Sequence, residues 1–218
     1  MSWFLGHLGL VASLLATHAY LAVVPLVLGL LLALPLGWLA RRLPALYTPL
    51  VAVTGLLYTI PSLALFILMP LVLGTLTLDP VNVIVALTIY TVALLVRTVA
   101  DGLGAVPETV LQSATAMGIG RVRRFFTVEL PLAVPVISAG LRVAAVSNVS
   151  IVSVAALIGV SQLGSLFTDG FARDLLDPIV VGIAASLLLA LALAAAFYGA
   201  WMITAANRER QIPDGPRA

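Results

Sequence analysis

Five apolar runs, each about twenty residues or longer, leave this chain little choice but a lipid bilayer. They cover Tyr20–Ala40, Pro49–Leu73, Val81–Leu103, Val134–Val160 and Pro178–Ala205. A helix needs ~20 apolar residues to cross the hydrocarbon core. Only 9% of the 218 residues are charged and 62% are hydrophobic, whereas a soluble domain carries roughly 25% charged residues. That is too little polar surface to cover a water-soluble globule. The runs show no alternation of polar and apolar residues, so helices rather than a barrel must satisfy the backbone in lipid. The expected fold is an all-α membrane protein with five transmembrane helices.

The arginines orient the spans. Every basic residue is arginine, and cysteine is absent, which excludes disulfides and thiolate metal sites. Arg41 and Arg42 lie between spans one and two, Arg121, Arg123 and Arg124 between spans three and four, and Arg208, Arg210 and Arg217 after span five. The other connections, Gly74–Pro80 and Ser161–Asp177, set Arg173 against Asp79, Asp169, Asp174 and Asp177. The positive-inside rule then expects the N-terminus outside and the C-terminus in the cytoplasm. Arg97 and Arg142 fall toward the cytoplasmic ends of spans three and four, where arginine can snorkel.

Residues 1–17 are apolar, carry Trp3, Phe4 and His7, and lack the basic start and cleavage site of a signal peptide. They are expected to form a short N-terminal helix lying in the outer interface. Residues 18–206 form the membrane domain, with a cytoplasmic loop over 108–131, and 207–218 form a cytoplasmic tail whose end, Gln211–Ala218, is expected to be disordered. No stretch is long and polar enough for a soluble catalytic or receptor domain.

The loop Gln112–Pro131, QSATAMGIGRVRRFFTVELP, combines charge with internal order. Gln112–Met117 are reasonable helix formers, and Gly118 can end that helix in a left-handed conformation. The small residues Ser113, Ala114 and Ala116 would let a partner approach closely. Pro131 is expected to restart the next helix where a missing N–H is tolerated. Ala114 is followed after three residues by Gly118, and nine residues later come Val128, Glu129, Leu130 and Pro131. This spacing resembles the EAA loop of ABC importer permeases: Glu-Ala-Ala, three residues, Gly, nine residues, Ile, any residue, Leu-Pro. Gln112 and Ser113 depart from the first two positions. Gln112 keeps length without charge, and Ser113 keeps small volume.

The resemblance narrows elsewhere. Thr59-Ile60-Pro61-Ser62-Leu63-Ala64-Leu65, the run Leu130–Arg142, Ala156-Leu157-Ile158-Gly159 and Thr17-His18-Ala19-Tyr20-Leu21 are similar to osmoprotectant permeases, which serve importers of glycine betaine, carnitine and choline. Gly159-Val160-Ser161-Gln162-Leu163-Gly164 replaces a more glycine-rich turn usual there. The resemblance implies a type I importer fold in a bacterial cell membrane. It also implies a subunit that lines the translocation path with a second permease, either a copy or a paralogue. A cytoplasmic ABC ATPase dimer would dock on the coupling loop (Gln112, Ser113, Ala114, Gly118, Val128, Leu130, Pro131), and an extracytoplasmic substrate-binding protein would deliver substrate. No cofactor, catalytic residue, metal site or nucleic-acid partner is expected on this chain. ATP and Mg belong to the ATPase.

Within the spans, Pro61 frees a backbone carbonyl and produces either a kink lining the path or a static packing kink. Ser147, Ser150 and Ser153 recur every third residue beside Asn148. They either line the path or bond helix to helix. Tyr58 and Tyr90, with Ser62, are further candidates for the path, since a quaternary ammonium favours aromatic faces. His7 and His18 sit near the outer interface with no carboxylate nearby in sequence, and Glu129 is expected to pair with Arg123 or Arg124. Three other readings remain: a secondary transporter, which needs coupling-ion sites and usually an internal repeat, a permease of this fold for a methionine-like amino acid or an oxyanion, which should lack the Thr59–Leu65 stretch, and a membrane-embedded enzyme. The last needs paired acids or a nucleophile constellation within the spans, and Asp101, near the cytoplasmic end of span three, is the sole acid inside one.

Overall fold

The structure is a computed structural model and describes residues 2–209. The expected tail, Gln211–Ala218, lies outside them. In chain order the helices are α1 (Ser2–Gly6), α2 (Leu8–Arg42), α3 (Pro44–Thr59), α4 (Ser62–Leu73), α5 (Pro80–Gly104), α6 (Glu108–Ala116), α7 (Arg121–Arg124), α8 (Leu130–Val154), α9 (Ser165–Ala172) and α10 (Leu176–Glu209). A π-helical turn, Phe125–Glu129, joins α7 to α8, and a 3-10 turn, Ala155–Ile158, ends α8. Four helices are long and apolar enough to cross a membrane, and the bent pair α3–α4 makes a fifth crossing if counted as one span.

The bundle is built around α5, where 61% of the most apolar stretch is buried, against 6% for peripheral α10. In lipid there is no hydrophobic drive between helices, so close packing through small residues does the work. The buried face of α2 repeats Ala22, Gly29, Ala33, Gly37 and Ala40. A Cβ on Gly29 would stand 2.4 Å from Cγ2 of Thr91, and one on Gly37 2.7 Å from Cβ of Val99. On α8, Gly140 meets Thr98 in the same way, at 2.4 Å. These contacts bring α2 and α8 close against α5.

Three elements differ from the sequence reading. First, no break separates residues 1–17 from the first span, since α2 runs unbroken from Leu8 and only α1 stands apart. No proline precedes Pro25 in α2. The hydroxyls of Ser13 and Thr17 bond back to the carbonyls of Leu10 (2.8 Å) and Ser13 (3.1 Å), so neither interrupts the helix.

Second, Pro61 does more than kink its span. The chain turns by 99° between α3 and α4. Ile60 (ψ 130°) and Pro61 (ψ 129°) are both extended, because proline drives its predecessor out of the helical region and offers no N–H to continue the ladder.

Third, Pro131 stands in the first turn of α8 as expected, but α8 is not a fresh start. The helix begins at Arg121 and continues to Ile158, 38 residues in all. The π turn just before Pro131 widens the backbone where proline cannot donate its helical bond, so the helix persists.

Candidate functional site

One end of the bundle carries the arginines and α6. The last turn of α6 closes as a Schellman motif. Gly118 has φ +76°, its N–H donates to Thr115 C=O at 2.9 Å, and the N–H of Ile119 donates to Ala114 C=O at 3.1 Å. The left-handed conformation expected of Gly118 is therefore present. A Cβ there would meet nothing within 4 Å, so glycine is required by backbone conformation and not by crowding.

The loop motif divides between two faces. Gln112, Ser113, Ala116 and Gly118 are exposed, while Ala114 is buried and Val128, Leu130 and Pro131 are half-buried against the bundle. Ala114 therefore seats α6 and does not offer its methyl outward, contrary to the sequence expectation. The outward surface also includes Met117, Val122 and Phe126, each more than 60% exposed. Sequence reading missed these three. Their signal was an apolar residue at each flank of a glycine turn in an otherwise polar loop.

Arg124 braces this surface. Its Nη1 donates to Thr115 Oγ1 at 2.7 Å, and its Nε donates to Glu129 Oε1 at 2.8 Å. The end of α6 is thereby tied to the π turn of the long helix, and Glu129 pairs with Arg124 as expected. Trp38 of α2 packs edge-on against Phe125 (5.9 Å), with the Arg42 guanidinium 4.2 Å above the indole. Nearby, Tyr47 donates to Asp101 at 2.7 Å, and Arg97 lies 3.5 Å from the same carboxylate.

The second group of candidates lies within the spans. Tyr58 and Tyr90, 32 positions apart in sequence, form a T-shaped pair with ring centroids 5.8 Å apart. The Tyr90 hydroxyl donates to the carbonyl of Ile60, at the break beside Pro61 and Ser62. Tyr90 is buried and Tyr58 is 40% exposed.

Asn148 is placed otherwise. It is buried, and its amide donates to Ala22 C=O at 3.2 Å and Thr91 Oγ1 at 3.1 Å. It thus bonds α8 to α2 and α5. Ser147 and Ser153 are half-buried and Ser150 is exposed, so the serines lie off the Asn148 contact.

His18 is fully buried within the bundle. Its ring nitrogens meet Gln162 Oε1 at 2.9 Å and the Val149 carbonyl at 3.0 Å. Gln162 Oε1 also accepts from the N–H of Gly164, and its Nε2 donates to Ser153 C=O at 3.2 Å. This clasp joins α2, α8 and the turn before α9, at the end opposite α6. It falls in the turn that departs from the glycine-rich pattern. No sequence signal linked residues 144 positions apart. No group of His, Asp or Glu suited to a metal occurs among the described residues.

Residues 12–206 match the family described as binding-protein-dependent transport system inner membrane component. The chain belongs to that family. This permease is 33% identical over 194 residues to the osmoprotectant import permease protein OsmW of Salmonella typhimurium, covering 88% of this chain and 90% of that one. It is 31% identical over 153 residues to the choline transport system permease protein OpuBB of Bacillus subtilis, covering 70% and 69%. Among solved structures, the inward-facing MetNI methionine ABC transporter superposes with a TM-score of 0.82 at 18% identity, over 91% of this chain and 98% of that one. The shared fold is that of ABC importer permeases. The chain is an inner-membrane transport subunit and not an enzyme.

Proposed function

We propose that this permease forms the membrane path of an ATP-driven importer of quaternary amines such as glycine betaine, carnitine or choline. The observation that carries the substrate class is the similarity, over most of the chain, to permeases named for osmoprotectants and choline. The likeness to the methionine transporter is at 18% identity and speaks to fold alone.

In this reading the arginine-bearing end is cytoplasmic and α6 docks on an ABC ATPase. Its Schellman end and the exposed Met117, Val122 and Phe126 supply a firm surface with apolar contact area. Arg124 carries the ATPase's motion from α6 into the long helix. A second permease, copy or paralogue, completes the path, and an external binding protein supplies substrate. ATP and Mg are held by the ATPase dimer.

The test is reconstitution of the permease with its ATPase and binding protein in liposomes. Hydrolysis should rise on adding glycine betaine or choline only when the binding protein is present, and labelled substrate should accumulate. Stimulation by micromolar free ligand without the binding protein would place recognition in this subunit and overturn the division of labour.

A further inference from the structure

A broken helix inside a membrane exposes polar backbone where water is scarce, and such breaks are tolerated only where protein or a water-lined cavity compensates. At the end of α3 the helical donors that would have served the carbonyls of Tyr58 and Thr59 lie beyond a 99° bend. Ile60 N–H turns back to Leu57 C=O at 3.3 Å, and the Ile60 carbonyl takes the Tyr90 hydroxyl. The C-terminal end of α3, the negative end of its dipole, therefore opens beside two tyrosine rings.

The depth is telling. Tyr90 lies ten residues into the 25-residue α5, about 15 Å from one end and about 21 Å from the other at ~1.5 Å per residue. That is near the midpoint of α5, and in secondary transporters discontinuous helices hold substrates near the bilayer midplane. Arg97, the arginine on α5, is a further ~10 Å along. Tyr90 is locked by its bond to Ile60, whereas Tyr58 is 40% open. Carbonyl dipoles and ring faces without a carboxylate suit a large, weakly hydrated cation and not a metal ion, which needs a fuller set of oxygen ligands.

We propose that the break between Tyr58 and Ser62 is a transit site for the cationic head of a quaternary amine, with the open ring of Tyr58 against the methylammonium group and the end of α3 behind it. The proposal rests on the reading of this chain as a quaternary-amine permease. One open ring makes a weak site, suited to passage and not to capture.

The experiment measures maximal uptake of labelled choline in liposomes holding the full transporter and its binding protein. The variants are Tyr58→Phe, Tyr58→Leu, and phenylalanines carrying one, two and three ring fluorines at position 58. Fluorine drains the ring face while keeping its shape. Tyr58→Phe should stay within about twofold of wild type, the logarithm of the rate should fall with each fluorine, and Tyr58→Leu should lose about fivefold or more. A flat fluorine series, or an equal loss in every variant including Tyr58→Phe, overturns the site. Should Tyr58→Leu fail to assemble, the fluorinated rings still decide. If the wild-type transporter moves no quaternary amine, the substrate reading itself falls, a result distinct from a flat series.

Discussion

Gly118 offers a measurement in which backbone conformation and side-chain crowding separate. At φ +76° any residue with a Cβ is strained, by roughly 1 kcal/mol for alanine and more for a β-branched residue. No atom lies within 4 Å of the Cβ position, so no steric clash adds to this. The opposing stabilisation comes from the two Schellman hydrogen bonds, each contributing about 1 kcal/mol net. Strain and stabilisation are thus of similar size, and alanine should loosen the turn without unfolding α6, which Arg124 still holds at Thr115. Valine should abolish the turn. Asparagine, which tolerates the left-handed region, should be mildest.

Gly120 is the internal control. It too has open space around its Cβ, but its backbone sits at φ −63°, ψ 156° as the cap of α7. Gly120→Asp adds a residue favoured at helix N-caps and should be neutral. Gly118→Asp adds charge to the surface proposed to dock the ATPase. The assay is co-purification of the ATPase, with labelled-betaine uptake alongside. ATPase recovery should fall in the order Gly118→Asn, Gly118→Ala, Gly118→Val, with membrane levels unchanged and the Gly120 variants near wild type. Wild-type recovery and uptake for Gly118→Val would refute the docking role. A ranking by side-chain size, with alanine better than asparagine, would refute the conformational argument while leaving docking intact.

The chain has no native cysteine, so single reporters read topology cleanly. Leu76→Cys and Phe171→Cys, at positions 82% and 85% exposed, should react with an impermeant reagent in intact cells, and Gly120→Cys should not; external labelling of Gly120→Cys reverses the orientation. The clasp of His18 and Gln162 predicts coupled energetics: His18→Phe and Gln162→Leu should each cost ~1–3 kcal/mol by leaving a buried polar partner unsatisfied, and the double variant should cost less than their sum. Strict additivity in thermal unfolding would count against the clasp. Arg124→Gln should release α6 from the π turn, so that the ATPase still co-purifies while uptake drops by about tenfold; equal uptake would show that the brace transmits nothing.

What was legible in the sequence was what local chemistry decides. The spans follow from runs of apolar residues, and the turn at Gly118 from the one conformation that demands glycine. Pro61 located the break, but not its partner Tyr90, which reaches the Ile60 carbonyl from 30 residues away. The burial of His18 was not legible because its partners, Gln162 and the Val149 carbonyl, lie 144 and 131 positions away in sequence. Asn148 was ambiguous for the same reason: only the positions of Ala22 and Thr91 show that its amide bonds helix to helix. Pro131 marked the first turn of α8, but not that the helix before it runs on without a break. Proline favours helix starts, and the widened turn that lets a helix pass through it leaves little trace in composition.

That last departure bears on how a push at α6 could reach the other end of the bundle. Had Pro131 begun a fresh helix, the segment Arg121–Glu129 would be a hinged loop, and motion there would dissipate. The helix instead continues from Arg121 to Ile158, about 57 Å at ~1.5 Å per residue. At its near end the Arg124 brace grips α6, and at its far end Val149 and Ser153 join the His18 clasp. The π turn is the compliant point between them, since its backbone bonds are out of register with the ladder on either side. A displacement of α6 can therefore be taken up as bending at Phe125–Glu129 or carried along α8, and the ion pair of Arg124 with Glu129 spans that turn at 2.8 Å. With the pair intact the turn is stiffened and the helix moves as one body against the small-residue contacts of α5. With it broken the turn should yield first, so in the proposed importer the brace is expected to serve transmission of the stroke rather than docking.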